Sequence, residues 1–247
     1  MPVYHFNMIA QSQDTVKMPS FYKNNPSFAG NAAKWAETVA VYDETIDETV
    51  YDIDWINEYL ESVKNGGFLI NYNHPEWSLQ NVNDYSNLRN IHSIEIINGG
   101  CFKLNENTSL HYDQMLRGGN RVVPTAGDDN HSEKNCFRGW TMIKAPNLSY
   151  DSLISAYKKG YCYVSEGPEI LSLVMNDDKI IVKTSEVYSI VLRSEGRYCD
   201  YVSSEEGKCT EAIFQFSPEK MGKYFRIEIR DLNGYKAFSN AYFTDSI

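Results

Sequence analysis

Histidine and aspartate side chains stand at two points of this sequence where they could bind a metal ion. His74 directly follows the strand-like run 68–73, and Asp129 and His131 lie within the polar stretch 127–131, which reads GDDNH. An Asp-x-His pair on a loop can offer a carboxylate oxygen and an imidazole nitrogen to one metal centre or to two adjacent ones. These residue types are therefore candidates for metal ligands.

Both features also have an ordinary structural explanation. A buried histidine is most often a core residue with satisfied hydrogen bonds, and a stretch such as GDDNH is most often a turn built from turn-forming residues. Spacing alone therefore leaves the two interpretations of His74, Asp129 and His131 open.

The surrounding elements predict where these residues lie. Short apolar strands alternate with helical stretches up to residue 168, which is typical of an α/β domain with a mostly parallel sheet, open or closed into a barrel. The main predicted strands cover residues 68–73, 93–97, 121–125, 140–144 and 161–164, and the predicted helices cover 52–64, 110–116 and 150–159. Ligands collect at the carboxyl ends of such strands, so His74 and the 127–131 stretch are expected there.

The pattern changes after Gly167-Pro168. From this point only short strands with alternating apolar residues are predicted, separated by turns such as Asn233-Gly234, and this pattern favours a small β-sandwich. We therefore divide the chain into residues 1–168 and residues 169–247.

Composition narrows the classes of function. The net charge of −10 disfavours binding to nucleic acid or to an acidic membrane surface, which needs clustered Lys and Arg. No run of about eighteen apolar residues is present, so no membrane span is predicted. The five cysteines have no CxxC spacing, which favours reduced thiols and a cytoplasmic location, although a bridge between Cys199 and Cys209 stays open.

Four segments resemble, in the right order, motifs of the PHP (polymerase and histidinol phosphatase) family of metal-dependent phosphoesterases. Residues 73–75 resemble its NHP motif, residues 94–99 its IEVYNG strand, residues 127–131 its GSDAH motif, and residues 160–168 the segment that closes the domain in a subset of the family. A small β-domain follows in that subset, and residues 237–241 resemble its AxxNP-like strand except at the proline.

This resemblance implies an incomplete PHP-type barrel, a distorted TIM-like α/β barrel, followed by a small all-β sandwich. It implies divalent metal ions (zinc, manganese or iron) and hydrolysis of a small phosphorylated substrate. His74, Asp129 and His131 fall at metal-ligand positions, and Asp129 and His131 are also the expected catalytic residues. His5 resembles a further ligand in a VHILG-like strand, the alternative being a histidine that faces the barrel interior.

Three more residues are candidates for substrate binding. Glu95, within the IEVYNG-like strand, is expected to line the pocket or to orient a ligand. Lys134 and Arg138 follow the Asp-x-His pair closely enough to meet a substrate phosphate, although a solvated loop is the simpler explanation of both.

The family's first segments are missing from this sequence. They carry a His-x-His strand, an acidic residue, a Thr-Asp-His motif and a metal-bridging Glu, and no counterpart is found here. We therefore expect a chain without the first strands of the barrel, with weak metal binding and low turnover. The open barrel edge would expose apolar core, and a homo-oligomer is one way to cover it.

A second class of function is also open. The chain could be a non-catalytic PHP-like scaffold whose β-sandwich binds a partner protein or a glycan. Such a module would purify free of zinc, manganese and iron, whereas the hydrolase would not.

Overall fold

The computed structural model describes residues 4–15, 18–20, 40–42, 52–101 and 109–247 of the chain. Its strands are β1 Phe6–Ala10, β2 Met18–Ser20, β3 Ala40–Tyr42, β4 Phe68–Tyr72, β5 Ser93–Asn98, β6 Val123–Gly127, β7 Trp140–Ile143, β8 Cys162–Ser165, β9 Ile170–Asn176, β10 Lys179–Val187, β11 Ser189–Ser194, β12 Cys199–Ser203, β13 Cys209–Gln215, β14 Tyr224–Arg230, β15 Lys236–Ser239 and β16 Tyr242–Phe243. Its helices are α1 Ile53–Asn65, α2 Val82–Tyr85, α3 Leu110–Arg117, α4 Tyr150–Lys158 and α5 Pro218–Met221, with short 3-10 turns at Glu133–Asn135 and Thr244–Ser246.

Four strands form the mixed sheet, in the order β1-β4-β5-β6. Strands β4, β5 and β6 run parallel, and β1 runs antiparallel to β4. Every residue of β4 is buried, as expected for a strand with neighbours on both sides and a helix packed against it. The candidate site lies at the edge of this sheet where β4, β5 and β6 end.

Helix α1 covers the mixed sheet, and its sequence explains both its ends and its buried face. The Asp52 side chain accepts a hydrogen bond from the backbone of Trp55, which caps the start of the helix. The chain leaves the helix through Gly66 and Gly67, and Gly67 adopts a φ of 91° that L-residues disfavour. Ile56, Leu60 and Val63, spaced three or four residues apart, form the buried face (Leu60 is fully buried).

The remaining strands form two antiparallel sheets and one small parallel pair. The long antiparallel sheet has the order β12-β11-β14-β15-β8-β7, with β16 beside β14, and the short antiparallel sheet has the order β13-β10-β9. Strands β2 and β3 make the parallel pair. The side chains of Ile180 and Val182 on β10 and of Ile227 and Ile229 on β14 are fully buried in one apolar cluster between the two antiparallel sheets.

The predicted architecture, an incomplete TIM-like α/β barrel followed by a small all-β sandwich, is wrong. A barrel of this kind needs parallel strands that continue until the sheet closes. Here β1 lies antiparallel at one edge of the mixed sheet, and β7 pairs antiparallel with β8 in another sheet instead of forming a parallel ladder with β6. The described residues are mainly β-structure, and the mixed sheet stays open at four strands.

Strands from both sides of residue 168 share the long antiparallel sheet. Residues Tyr163–Ser165 of β8 pair with Ala237–Ser239 of β15. A buried arginine makes a second connection, because Arg226 of β14 donates to the carboxylate of Asp113 in α3. The boundary between residues 1–168 and 169–247 stays a prediction, and these contacts are made across it.

Two further findings concern the cysteines and the helices. Each of the five cysteines lies in the described part of the chain and is a free thiol, so the alternative bridge between Cys199 and Cys209 is not formed. Within the same part of the chain, no helix is both long enough and apolar enough to traverse a lipid bilayer.

Candidate functional site

Four polar side chains lie at the edge where β4, β5 and β6 end. His74 follows β4, Glu95 belongs to β5, and Asp129 follows β6. His5 directly precedes β1, whose antiparallel direction brings its first residue beside the end of β4, and Asn73 N–H donates to the His5 carbonyl at 2.9 Å. The sheet therefore gathers these residues at its carboxyl edge, where parallel sheets usually bind ligands.

His5 and His74 bring two imidazole nitrogens face to face. Nδ1 of His5 lies 3.0 Å from Nε2 of His74, and the two ring planes are inclined by 79°. Two nitrogens bound to the same zinc ion at ~2.0–2.1 Å would lie roughly 3 Å apart, so the spacing suits a shared cation as well as a hydrogen bond with one proton between the rings.

The surroundings of His74 favour its neutral form. Burial, followed by the neighbouring His5, lowers the pKa of His74, whereas the carboxylate of Asp129 acts to raise it. The resulting pKa lies below the ordinary value for histidine, so the ring is neutral at pH 7, and neutral imidazole is the form that binds metals.

Trp77 forms one wall beside the two histidines. Its ring meets the His74 ring edge-on at a centroid distance of 5.2 Å and lies 6.1 Å from the His5 ring. The side chain is 46% exposed. One part of the indole therefore packs on the imidazoles while another part faces solvent, where a bound molecule would reach it.

The backbone is strained at two of the candidate ligands. His74 has a φ of 27° and Asp129 a φ of 45°, both in the left-handed region that non-glycine residues seldom occupy. The backbone N–H of His74 donates to Glu95 Oε2 at 2.9 Å, which helps to hold the unfavourable conformation. Strain of this kind costs about 1–3 kcal/mol per residue and concentrates at functional sites.

Asn98 connects the carboxylates of the site. Its side-chain NH2 donates to Glu95 Oε2 at 3.1 Å and to Asp129 Oδ2 at 3.2 Å. Its side-chain oxygen accepts from the backbone of Cys101 at 3.0 Å, which fixes the orientation of the amide. Asn98 therefore holds Asp129 close to Glu95 although both carry acidic groups.

Glu95 has the most perturbed carboxyl group of the site. Burial raises its pKa to about 7, with a further contribution from Asp129, while the bonds from Asn98 and from the backbone of His74 act to lower it. A buried carboxyl group whose pKa is close to neutral marks a functional-site candidate.

The raised pKa predicts a pH dependence of stability that the Glu95→Gln substitution should remove. The folded protein holds the proton of Glu95 more tightly than the unfolded chain, in which the pKa is near its ordinary value of 4.5. The associated stabilisation is complete below pH 4.5 and is lost as the pH rises to about 7, a change of roughly 3 kcal/mol. Glutamine keeps the acceptor oxygen but cannot ionise.

The measurement is urea unfolding of both proteins, without added metal, between pH 4 and pH 8. The difference in unfolding free energy, Glu95→Gln minus wild type, should increase steadily across the window and level off above it. A difference that does not change with pH would contradict the assignment of a buried, titrating Glu95.

The loop after β6 is anchored by Asp128. Its carboxylate accepts three successive backbone N–H groups, from Phe137 at 2.8 Å, Arg138 at 2.7 Å and Gly139 at 3.2 Å. Partial burial acts to raise the pKa of Asp128, but these bonds bring it below its ordinary value. Gly100 packs against the same loop, because a Cβ at this position would lie 2.9 Å from the backbone oxygen of Asp129.

The structure places the other predicted site residues on the exposed loop after β6. The His131 side chain is 81% exposed, and its Nδ1 lies 2.8 Å from the backbone oxygen of Asp129 and 3.6 Å from Asp129 Oδ1. Lys134 and Arg138 are exposed on the same loop, where Arg138 Nε donates to the Lys134 carbonyl at 3.3 Å. These three side chains border the site, whereas His5, His74, Glu95 and Asp129 form its centre.

The residues present fit part of a ligand set for one cation. Within residues 4–15, 52–101 and 109–247, no group of three or more His, Cys, Asp or Glu side chains is placed so that it could hold a metal ion. His5 and His74 nevertheless direct two nitrogens at each other, and Asp129 is close enough to affect the pKa of His74. A catalytic zinc site needs three protein ligands and an open position, and the two facing histidines provide two of these ligands.

Sequence reasoning missed the roles of Asn98 and Asp128. Both are polar residues at the ends of strands next to glycine, a pattern that could have indicated them. Their hydrogen-bond partners lie up to 31 positions away along the chain, and such pairings are not visible in a short motif.

Comparison of the chain with protein-family models, with curated proteins and with solved structures found no match.

Proposed function

We propose that this protein hydrolyses phosphate esters with the help of a divalent cation held by His5, His74 and Asp129. The observation that carries the proposal is the facing pair of imidazole nitrogens, 3.0 Å apart, beside two carboxyl groups at the carboxyl edge of the mixed sheet. Zinc, manganese or iron is the expected ion, since imidazole and carboxylate ligands suit all three.

Each residue of the site has a separate task in this proposal. When bound, the cation supplies Lewis-acid activation of a phosphate oxygen and of water. His5 and His74 provide neutral nitrogen ligands, and Asn98 keeps the Asp129 carboxylate in place through its bond at 3.2 Å. Glu95 holds the backbone of His74 and, with a pKa of about 7, can accept or release a proton near neutral pH.

In this proposal, the specificity of the protein for phosphate substrates comes from cationic side chains on the loop after β6. Lys134 and Arg138 are exposed on this loop, which also carries Asp129. Their cationic groups could meet phosphate oxygens of a substrate bound next to the cation, because charge-assisted bonds of this kind are strong. The motif resemblance to PHP phosphoesterases adds to the same proposal.

We expect weak cation binding and low turnover. Three ligands support a mononuclear site, whereas a two-metal mechanism, which stabilises both the attacking and the leaving oxygen, needs more. His131, proposed as a further ligand, would have to turn from its present exposed position to contribute.

The experiment measures bound metals in the purified protein by mass spectrometry and hydrolysis of p-nitrophenyl phosphate and bis(p-nitrophenyl) phosphate. We expect slow hydrolysis that EDTA abolishes and that added zinc or manganese restores. A protein that binds neither ion and hydrolyses neither ester would support the non-catalytic binding scaffold instead.

A further inference from the structure

A cavity of about 440 Å³ lies beside α4, between this helix and the residues that follow β7 and precede β8. Its volume is within the range of roughly 300–1,000 Å³ that is common for small-molecule sites. Helix α4 packs at the amino edge of the mixed sheet, where the Tyr157 hydroxyl donates to Ser93 at the start of β5 and the Tyr150 hydroxyl donates to the carbonyl of Ala10, each at 2.6 Å. The cavity is therefore separate from the candidate site, which lies at the carboxyl edge of the same sheet.

Small side chains on α4 and one aromatic ring shape this cavity. Ser155 and Ala156 follow Ser152 by three and four positions, so the three side chains share the face of the helix that lines the cavity. Tyr161, which is 56% exposed, borders the cavity beside them. Its backbone N–H donates to the Ala156 carbonyl at 3.0 Å, and its carbonyl accepts from the backbone N–H of Lys144 at 2.8 Å. These bonds fix the aromatic residue between the helix and the end of β7.

The charge around this cavity is opposite in sign to that of the whole chain. Lys144 and Lys159 both line it, and in the described part of the chain neither ammonium group makes an ion pair. The neighbouring Lys158 differs, because its ammonium group donates to Gln11 at 2.7 Å. The acidic residue of the lining, Asp151, belongs to the first turn of α4, where a carboxylate favours the helix dipole. Acidic residues outnumber basic ones by 33 to 23 in the sequence, so a surface where lysines predominate is a local site of attraction for anions.

We propose that this cavity binds a small phosphate monoester, whose phosphate contacts Lys144 and Lys159 and whose organic part packs on Tyr161. Lysine ammonium groups bind phosphate as point charges, and two of them match the charge of nearly −2 that a phosphate monoester carries at pH 7. The hydroxyls of Ser152 and Ser155 supply further donors to phosphate oxygens. This site goes beyond the proposed function, because it requires no metal ion and lies at the opposite edge of the sheet.

The test measures binding of adenosine 5′-monophosphate, which joins a phosphate to a ring system, by isothermal titration calorimetry of the full chain in the presence of EDTA. We expect Lys144→Gln and Lys159→Gln each to lower the affinity by about tenfold or more, since hydrogen bonds to charged groups are strong. Lys158→Gln is the matched control and should bind the nucleotide as wild type does, because this lysine is already engaged by Gln11. Adenosine, which lacks the phosphate, should bind at least about tenfold more weakly than the nucleotide.

Two variants of Tyr161 test the aromatic wall. Tyr161→Phe keeps the ring and should stay within about twofold of wild-type affinity, whereas Tyr161→Ala should lose about fivefold or more, because stacking of a base on an aromatic side chain is removed. Circular dichroism checks that each variant is folded. In NMR spectra of wild type, the nucleotide should shift the backbone amide signals of residues 144 and 152–161.

Several results would overturn this site. They are the absence of nucleotide binding by wild type, equal affinity in wild type, Lys144→Gln and Lys159→Gln, and amide shifts confined to the loop after β6. Equal weakening in Lys158→Gln would also contradict it, since that result indicates a general effect of removing charge. All these measurements are made without a metal ion, so their failure leaves the proposed phosphoesterase activity in place.

Discussion

Replacement of His74 by alanine is expected to weaken zinc and manganese binding by at least about 100-fold and to reduce phosphoesterase activity to background. Removal of an outer partner of a metal ligand already costs up to about 100-fold in affinity, so loss of the ligand itself should cost no less. The substitution removes one of the two facing nitrogens and leaves only His5 and Asp129 from the ligand set. Isothermal titration calorimetry with each ion and the p-nitrophenyl phosphate assay measure the two effects.

The effect should come from the site and not from the fold. The backbone N–H of residue 74, which donates to Glu95, is retained in the alanine variant. His92→Gln is the matched control, because His92 precedes β5 and so lies at the opposite end of that strand from the site. Equal loss of zinc affinity in both variants, or none in His74→Ala, would contradict the proposed ligand.

Replacement of Arg226 by alanine is expected to lower the free energy of unfolding by about 3–5 kcal/mol, the cost of breaking a buried ion pair by removing one partner. Arg226 is fully buried, and its Nε and Nη2 atoms each lie 2.8 Å from a carboxylate oxygen of Asp113. Nη2 also donates to Ser109 at 2.7 Å. Burial acts to lower the pKa of the guanidinium, but Asp113 and Glu228 raise it above its ordinary value, so the group stays charged.

Urea unfolding measures this loss, and an exposed arginine provides the comparison. Arg193 contacts the same Glu228 at 3.4 Å with 47% of its side chain exposed, so Arg193→Ala should cost no more than about 1 kcal/mol. The double variant Arg226→Met with Asp113→Leu should regain much of the stability, because it leaves no unpaired buried charge. If Arg226→Ala were as stable as Arg193→Ala, the pair would not connect α3 to β14 in the way described.

The sequence named candidate residues for the site, and their roles stay predictions. His74 and the 127–131 stretch were expected at the carboxyl ends of strands in a mostly parallel sheet, and β4, β5 and β6 do run parallel. His131 was expected to converge with them, yet its side chain is exposed along its own loop. The motif could not predict this orientation, because an Asp-x-His spacing limits the distance between two Cα atoms but does not set the direction of either side chain.

Local sequence determined the elements of this protein. The helix predicted at 52–64 is found at Ile53–Asn65, and the strand predicted at 68–73 is found at Phe68–Tyr72. Apolar spacing, an Asp52 cap and paired glycines act within a few residues, and such short-range preferences can be read from the chain directly.

Only the tertiary structure decided how the strands are joined. The apolar alternation of β1, β7 and β8 is compatible with parallel or antiparallel neighbours, and the sequence-based expectation of a TIM-like barrel assumed the former. Pairing with β4 and with β15, between residues 58 to 76 positions apart, sets the directions of β1 and β8. The same long-range pairing brings His5 against His74 and Asn98 against Asp129, because side chains from distant segments meet only where the sheet is assembled.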